Sequence, residues 1–361
     1  MPLVQTNNLP TYERLRQEGH TVLTQERAQK QDIRDLHVGL LNMMPDAAIA
    51  ATERQFFRLI GSSNPIAQFH IHPFTLDEIP RGEVASEHIA RYYEPLSSIK
   101  EHGLDALIIT GANVIEADLS QEVFWDPLMD LYKWAYDNVT STLCSCLASH
   151  AVLLGAYGIE RQHLDRKRWG VFEFDVTARD HPLVHDVNTR IVVPQSRFNE
   201  VTAEQMQEKG LHVLAQGSEA GVQLAVSPDG FRSVFFQGHP EYDRISLMKE
   251  YKRDVGLFAF GKLDNYPPMP KYYFNSFAQA ILQEYRGRVE SAKQQGAPVP
   301  EFPESHILEG LHNTWHDSGE AIVGNWIGLV YQLTNADRAL PFMDGIDVNN
   351  PLAWGRVSQT S

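Results

Sequence analysis

The sequence predicts an α/β protein built on a mainly parallel sheet. Short runs rich in Val, Ile and Leu alternate along the chain with segments whose apolar residues recur at helical spacing. Strands that alternate with helices form parallel sheets covered on both faces. The chain has 361 residues, 43% of them hydrophobic, which is enough to bury a large core without disulfides or metals. In such folds the reactive groups gather at the carboxyl ends of strands.

The strand and helix patterns follow one another through the first 262 residues. Strands are predicted over 37–42, 68–74, 104–110, 140–146, 190–193 and 211–214, and a hairpin over 221–226 and 231–237. Helices are predicted over 12–18, 48–60, 122–137, 147–157 and 243–256. Three of the strands end on residues that can carry chemistry, namely 110–112, 144–146 and 237–239.

Composition divides the chain into three parts. Residues 1–35 are polar and are interpreted as an N-terminal arm, and 36–265 as the α/β core. Residues 266–361 begin with a proline-rich linker and continue with long helices predicted over 272–294 and 315–333, which we expect to pack on the core.

Charge and cysteine content exclude several classes of protein. Lys and Arg total 31 and Asp and Glu total 46, giving a net charge of −15, so we expect no nucleic-acid partner. No apolar run is long enough to span a bilayer and the first residues lack a secretion signal, so we expect a cytoplasmic protein without a membrane partner. The two cysteines, Cys144 and Cys146, are too close for an unstrained disulfide, so both are expected to be reduced.

Cys146 is the candidate nucleophile because it lies at a predicted strand-to-helix turn. A helix N-terminus favours the thiolate, which is the reactive form of cysteine. The backbone N–H of Leu147 would be free to hold an oxyanion, as in a nucleophile elbow. The alternative is a small buried hydrophobic residue, and this interpretation is favoured for Cys144.

His239 and Glu241 follow the strand that ends at residue 237. A histidine with a carboxylate two residues later can act as a base whose ring is oriented by an acid. The alternative is a His-Pro turn beside a surface glutamate. A strand-end cysteine and a strand-end His-x-Glu in one parallel sheet together indicate a catalytic site more specifically than either feature alone.

Other residues give weaker signals. His70 and His72 could place two ligands on one face of a strand, but no third ligand has metal spacing, so no metal is expected. His150, one helical turn after Cys146, competes as a base, although packing is the favoured interpretation. Gly111 and Ala112 form a tight turn whose amides could approach a substrate oxygen.

Several motifs in one order carry a resemblance to a known family. They are LNMMP at 41–45, TGA at 110–112, VTSTL at 139–143 before Cys146, GVFE at 170–173, PQSR at 194–197, GHPEY at 238–242, YKRD at 251–254 and NW at 325–326. Over residues 2–335 the chain resembles the homoserine O-acyltransferases of methionine biosynthesis, which are related to class I glutamine amidotransferases. The resemblance implies a flavodoxin-like doubly wound core.

The resemblance also implies a mechanism and a set of site residues. The acyl group would move from acyl-CoA, a co-substrate rather than a bound cofactor, to a cysteine and then to the hydroxyl of homoserine. Cys146 would be the nucleophile, His239 the base and Glu241 its orienting carboxylate, with the amides of Gly111, Ala112 and Leu147 as oxyanion hole. Substrate contacts would come from Lys167, Ser196, Glu250 and Arg253, of which Arg253 grips the carboxylate of the amino acid.

Ile115 departs from the family pattern at the position that separates acyl donors, where family members carry Gly for succinyl or Glu for acetyl. Ile115 adds bulk without charge, so the overall resemblance alone favours succinyl-CoA over acetyl-CoA. Leu147, His150 and Asn113 also differ from the usual family residues, and 272–308 resembles an insertion. The family and the helical additions predict a homodimer.

Three alternatives stay open on the sequence. The acceptor could be serine instead of homoserine. A glutaminase or another amidase on the same fold is a second reading, although the Gly-x-Cys-x-Gly elbow of such glutaminases is replaced by residues 144–148 (CSCLA). A non-catalytic binding protein is the third, and the presence of all three triad residues argues against it.

Overall fold

The structure is a computed structural model that describes residues 3–30, 33–63 and 67–355. Eleven strands in this part of the chain form one sheet. The strands are β1 (Leu3–Gln5), β2 (Val22–Thr24), β3 (Asp35–Leu41), β4 (Gln68–Phe74), β5 (Ala106–Ile109), β6 (Ser141–Ser145), β7 (Gln162–Val176), β8 (Arg190–Glu200), β9 (His212–Gly217), β10 (Gly221–Val226) and β11 (Ser233–Phe236).

Helices cover both faces of this sheet. They are α1 (Pro10–Gln17), α2 (Gln25–Ala28), α3 (Ile49–Ser62), α4 (Glu83–Tyr92), α5 (Leu96–His102), α6 (Trp125–Asn138), α7 (Leu147–Tyr157), α8 (Ala203–Glu208), α9 (Ser246–Ala259), α10 (Ser276–Gln295), α11 (Glu304–Ile307) and α12 (His316–Leu333). None of the helices in the described ranges is both long and apolar enough to cross a membrane.

The strand order is β2-β1-β4-β3-β5-β6-β11-β10-β9-β7-β8. Neighbouring strands from β2 to β11 pair in parallel, and those from β11 to β8 pair antiparallel. The predicted mainly parallel sheet and the predicted 221–237 hairpin are therefore confirmed. Because β5, β6 and β11 are adjacent and parallel, the residues that follow them meet at one edge of the sheet.

Alternate residues of the central strands belong to two separate hydrophobic cores, one on each face of the sheet. Ile108 and Leu143 pack on one face with apolar residues of α3 and α12. Ile109 and Cys144 point to the other face, against α6 and α7. This period of two is what a strand covered on both sides requires. Trp326 of α12 is fully buried and its Nε1–H donates to Ser141 Oγ at 2.9 Å, so the C-terminal helix is part of the core.

Some elements differ from the sequence expectation. Residues 1–35, expected as an arm with one helix, also contribute β1 and β2 to the sheet. β7 was missed because its first half is polar and exposed, and β8 extends beyond the predicted 190–193. Helices α4 and α5 were not predicted.

The segment 272–308 packs closely against the rest of the molecule. Leu282 and Tyr285 of α10 are buried in a third core with Tyr251 of α9 and Trp169 of β7. The apolar side of α9 therefore rests on this segment. Its other side faces a cavity at the carboxyl edge of the sheet, which is described next.

Candidate active site

Cys146 occupies the sharp turn between β6 and α7. Its φ of 53° and ψ of −111° lie outside the regions that non-glycine residues normally adopt. Such a conformation costs about 1–3 kcal/mol and must be held by its surroundings. The Cys146 N–H donates to Phe236 O at 2.8 Å, and Ser149 Oγ also lies 2.8 Å from that oxygen. The turn is thus held from both sides, as at a nucleophile elbow.

His239 and Glu241 stand beside this turn because β11 pairs in parallel with β6. The backbone N–H of His239 donates to Pro194 O at 2.9 Å, which anchors the loop on β8. His239 Nδ1 lies 2.8 Å from Glu241 Oε1, and both residues are about 95% buried (6% and 5% exposed). A carboxylate only accepts hydrogen bonds, so Nδ1 carries the proton and Nε2 is left for Cys146 or a substrate.

The electrostatics of His239 come from two anionic neighbours. Burial by itself lowers the pKa of an imidazole, but the charges and hydrogen bonds of Cys146 and Glu241 outweigh burial and raise the pKa of His239 well above its usual range. The arrangement therefore favours the protonated, imidazolium form of His239. Glu241 Oε2 is also buried, and it accepts no hydrogen bond within the described residues.

Gly238 is required by close packing behind the histidine. A Cβ built at this position would stand 1.9 Å from Gln195 Nε2 and 2.5 Å from Gln223 Oε1. These two glutamines are hydrogen-bonded to each other at 2.7 Å and are fully buried. A side chain at 238 would therefore displace the buried amide pair, and with it the loop that carries His239.

The turn at Gly111 lies against Cys146. A Cβ built on Gly111 would be 3.8 Å from the Cβ of Cys146 and 4.0 Å from the backbone nitrogen of Leu147. Gly111, Ala112 and Cys146 line the same cavity. The structure therefore brings the three residues expected to supply oxyanion-hole amides, Gly111, Ala112 and Leu147, next to Cys146.

A cavity of about 410 Å³ opens over these groups. Its walls come from the loop after β3, helix α3, the 110–113 turn and helix α9. Cys146, His239, Ser196, Glu250 and Arg253 all line it. One face of the cavity therefore holds the thiol of Cys146 and the imidazole of His239, and the opposite face holds charged groups.

Glu250 is the centre of that charged face. Ser196 Oγ donates to its Oε2 at 2.6 Å, Tyr242 OH donates to its Oε1 at 2.8 Å, and Lys167 Nζ lies 3.4 Å from Oε2. Burial raises the pKa of a carboxyl, yet Lys167 and these hydroxyl donors hold the pKa of Glu250 below its usual value. Glu250 is therefore a fixed anion that faces the cavity.

Tyr242 links the two faces and was not singled out from the sequence. Its ring stacks on the His239 ring at a centroid distance of 4.2 Å and an angle of 16°. Its hydroxyl binds Glu250, as described above. In the sequence Tyr242 appeared only as the last residue of the GHPEY motif, which does not distinguish stacking on His239 from core packing.

Arg253 and Lys167 hold different positions around Glu250. Arg253 lines the cavity, its side chain is 60% exposed, and it contacts Asp254 at 2.8 Å. Lys167 is outside the cavity lining and bridges Glu250 to Asp254 Oδ2 at 3.8 Å. Arg253 can therefore reach a bound anion directly, whereas Lys167 acts on Glu250.

Ile115 lies outside the catalytic cavity. It is 86% exposed and lines a neighbouring cavity of about 500 Å³, which shares Pro45, Ala47, Ala112 and Asn113 with the first. Its backbone N–H donates to Glu122 Oε1 at 2.6 Å, so a buried carboxylate shapes this loop. Glu122 was not predicted, because nothing in the sequence marks it as buried.

His150 and Cys144 point away from the cavity. His150 Nε2 lies 2.9 Å from Gln237 Oε1 inside the core, and burial lowers the pKa of His150 to about 3. Cys144 is fully buried, which raises the pKa of its thiol above the usual value. The packing interpretation of both residues agrees with these positions.

The fold and this geometry define a class: α/β proteins in which a strand-end cysteine, a histidine and a glutamate meet at the carboxyl edge of a parallel sheet. The family model described as Homoserine O-succinyltransferase matches residues 2–336. The chain therefore belongs to the homoserine O-succinyltransferase family, and it is an enzyme of the transferase class.

Curated relatives match almost from end to end. The homoserine O-succinyltransferase of Allochromatium vinosum is 60% identical over 352 residues, which cover 98% of this chain and 99% of that protein. The protein of the same name from Thioalkalivibrio nitratireducens is 60% identical over 356 residues, covering 99% and 100%. The family assignment rests on these sequence matches.

Among solved structures, the chain is similar to a glutamine amidotransferase from Thermotoga maritima. The TM-score is 0.47 and the identity 11%, and the match covers 82% of this chain and 98% of that one. A glutamine amidotransferase from Methylobacillus flagellatus matches with the same TM-score and identity, covering 82% and 95%.

Proposed function

We propose that this enzyme transfers a succinyl group from succinyl-CoA to the hydroxyl of L-homoserine by way of a thioester on Cys146, a step of methionine biosynthesis. The observation that carries the proposal is the cavity in which Cys146 and the His239–Glu241 pair face Glu250 and Arg253. The full-length relatives named homoserine O-succinyltransferase support both the donor and the acceptor.

In the first half-reaction, the Cys146 thiolate attacks the thioester carbonyl. We assign the oxyanion to the backbone amides of Gly111, Ala112 and Leu147, and the position of the Gly111 turn beside Leu147 N supports this assignment. The C–S bond to CoA breaks, the CoA thiolate takes the proton of the His239 imidazolium, and the succinyl group stays on Cys146. A thiolate exchanges thioesters readily because the attacking and leaving thiols are alike.

In the second half-reaction, His239 Nε2 takes the proton from the homoserine hydroxyl. The resulting alkoxide attacks the thioester, the bond to Cys146 Sγ breaks, and O-succinylhomoserine leaves. Glu241 holds the ring in the required tautomer through its hydrogen bond to Nδ1. Glu250 offers a fixed anion for the ammonium group, and Arg253 a two-pronged donor for the carboxylate.

The cavity beside the catalytic one supports a path for the donor. The two cavities share four residues, so together they offer an elongated space that reaches Cys146. Ile115 lies in the outer part of this space and Arg81 in its wall. We place the acyl-CoA arm there, and we therefore expect Ile115 to affect the donor from a distance.

The same proposal includes a homodimer with small-molecule substrates and a cytoplasmic location. Acyl-CoA is an intracellular donor, and the nucleophile must stay reduced; both cysteines are free thiols here. Sedimentation equilibrium of the purified chain tests the dimer, and a mass equal to one chain would contradict it.

The test of the reaction uses four donor and acceptor pairs: succinyl-CoA or acetyl-CoA with homoserine or serine. We expect the highest kcat/KM for succinyl-CoA with homoserine, with parallel double-reciprocal plots. A preference for acetyl-CoA or for serine would move the assignment within the acyltransferases. Glutamine hydrolysis in the absence of acyl transfer would instead support the amidase alternative.

A further inference from the structure

A second cluster of histidines and carboxylates lies at the opposite edge of the sheet. Asp35 and His37 lie at the amino end of β3, and His70 lies on β4 directly opposite His37 in the parallel register. One potential ligand atom from each of these three residues lies within 4.8 Å of the other two. At about 3.3 Å per residue, the cluster is about 20 Å along β3 from the catalytic edge.

Two donor–donor distances in the cluster match those of a metal site. The rings of His37 and His70 stack at a centroid distance of 4.7 Å and an angle of 7°, and they would turn so that both Nε2 atoms face one ion. Asp35 Oδ2 lies 3.1 Å from His37 Nε2 and 3.4 Å from His70 Nε2. Ligands of a tetrahedral zinc ion at about 2.0–2.2 Å stand about 3.3–3.5 Å apart. We propose that Asp35 Oδ2, His37 Nε2 and His70 Nε2 bind a borderline divalent ion of the Zn²⁺ type.

The neighbouring groups complete a hydrogen-bonded outer shell. His37 Nδ1 lies 2.9 Å from His72 Nε2, and His72 Nδ1 lies 2.6 Å from Glu94 Oε1. With an ion on His37 Nε2, the Nδ1–H donates to His72 and the His72 Nδ1–H donates to Glu94. Both rings are then neutral and every ring nitrogen has a partner, which is the carboxylate–histidine support that metal ligands require.

Charge and access also favour a cation. Arg338 Nη2 donates to Asp35 Oδ1 at 3.2 Å, which orients the carboxylate and leaves Oδ2 for the ion. Arg338 and Arg34 both contact Asp105, so the three carboxylates of Asp35, Asp105 and Glu94 outnumber the two guanidinium groups by one. The side chains of His37 and His70 are 21% and 17% exposed, so an ion can enter from solvent and keep a water as fourth ligand.

This proposal departs from the expectation that the chain holds no metal. That expectation rested on His70 and His72 alone, without a visible third ligand. The fold supplies Asp35 and His37 from the adjacent strand, and it assigns His72 to the outer shell. Because the cluster is remote from Cys146, we infer a structural ion that ties β3 to β4, and this inference does not rest on the proposed reaction.

The test uses the full chain after chelator treatment. Co²⁺ is titrated while visible absorption is recorded, Zn²⁺ is then added as competitor, and Tm is measured with and without Zn²⁺. We expect one equivalent of Co²⁺ with d–d bands, displacement by Zn²⁺, and a higher Tm with Zn²⁺. No saturable binding to the wild-type chain would overturn the proposal.

Variants locate the ion. His70→Ala and Asp35→Asn are each expected to weaken binding by at least about tenfold and to remove the Tm shift. His185→Ala is the matched control, because His185 lies 3.1 Å from Asp186 in an exposed pair that is not part of the cluster. If His70→Ala does not fold, His70→Gln keeps the side-chain volume without the imidazole. Equal binding by the cluster variants and the control would contradict the proposed site.

Discussion

Two buried histidines flank the nucleophile turn in opposite surroundings. On the cavity side, His239 stands between the Cys146 sulfur and the Glu241 carboxylate, and these anions raise its pKa well above the usual range. On the core side, His150 donates Nε2–H to the amide oxygen of Gln237, and burial lowers its pKa to about 3. The residue type is the same, and only the neighbours differ.

This difference decides which histidine can act as base. An imidazole that gains a proton beside two anions can exchange protons with a thiol and a hydroxyl, whereas one held neutral beside an amide serves packing. Distance along the chain is misleading here, because His150 is the nearer in sequence to Cys146. The parallel pairing of β6 and β11 brings the distant His239 to the reactive side.

The largest expected effect on activity comes from replacing each of these two histidines separately by glutamine. His239→Gln should lower kcat/KM by about 10²–10⁴-fold, because it removes the proton acceptor. His150→Gln keeps a donor for Gln237 and should lower kcat/KM by less than about threefold, since no proton transfer depends on it. Steady-state assays with both variants measure this, and a larger loss for His150→Gln would reverse the assignment.

A smaller effect is expected across the cavity, at Arg253. Arg253→Ala should raise the KM for homoserine by about 10–100-fold, which corresponds to the loss of one charge-assisted hydrogen bond. Acylation of the enzyme should be unchanged. Lys252→Ala is the matched control, because Lys252 is on the same helix and pairs with Glu304. A defect confined to acylation would place Arg253 at the donor instead.

Ile115→Gly is expected to have a modest effect on the choice of donor. It should raise kcat/KM for succinyl-CoA relative to acetyl-CoA by no more than about tenfold, because the side chain is exposed and outside the catalytic cavity. Val84→Ala removes another exposed apolar side chain as control. An unchanged donor ratio would show that another wall sets the length of the acyl group.

The smallest expected effect is on stability, through His150. Its pKa in the folded chain, about 3, is below the unfolded value of about 6.5, so the unfolded chain binds the extra proton between these pH values. The neutral His150 therefore contributes to the free energy of unfolding above pH 6.5. This contribution is lost as the pH falls, by about 1.4 kcal/mol per pH unit at most. His150→Gln should flatten the pH dependence of urea unfolding between pH 6.5 and 4.5, and an unchanged slope would contradict this.

The sequence predicted what depends on local pattern. The parallel strands, the hairpin and the long helices follow from apolar periodicity, and the structure confirms them. Cys146 and His239 were singled out because each follows a buried strand, and the structure brings them together because adjacent parallel strands end at one edge. β7 was not predicted, because its exposed first half carries charged residues and lacks the alternation of apolar and polar residues that marks a strand.

The missed features depend on contacts between distant segments. Tyr242 stacks on one site residue and hydrogen-bonds another, and Glu122 shapes the Ile115 loop from buried surroundings. Asp35 and His37 join His70 only through strand pairing. No pattern within a single segment encodes such neighbours, so their roles became visible only in three dimensions.

The most direct test of the central claim is intact-protein mass spectrometry after brief mixing with succinyl-CoA in the absence of acceptor. We expect a mass gain of one succinyl group, absent in Cys146→Ala, retained in Cys144→Ala, and discharged by homoserine but not by serine. An adduct that persists in Cys146→Ala, or no adduct with succinyl-CoA or acetyl-CoA, would contradict a thioester on Cys146.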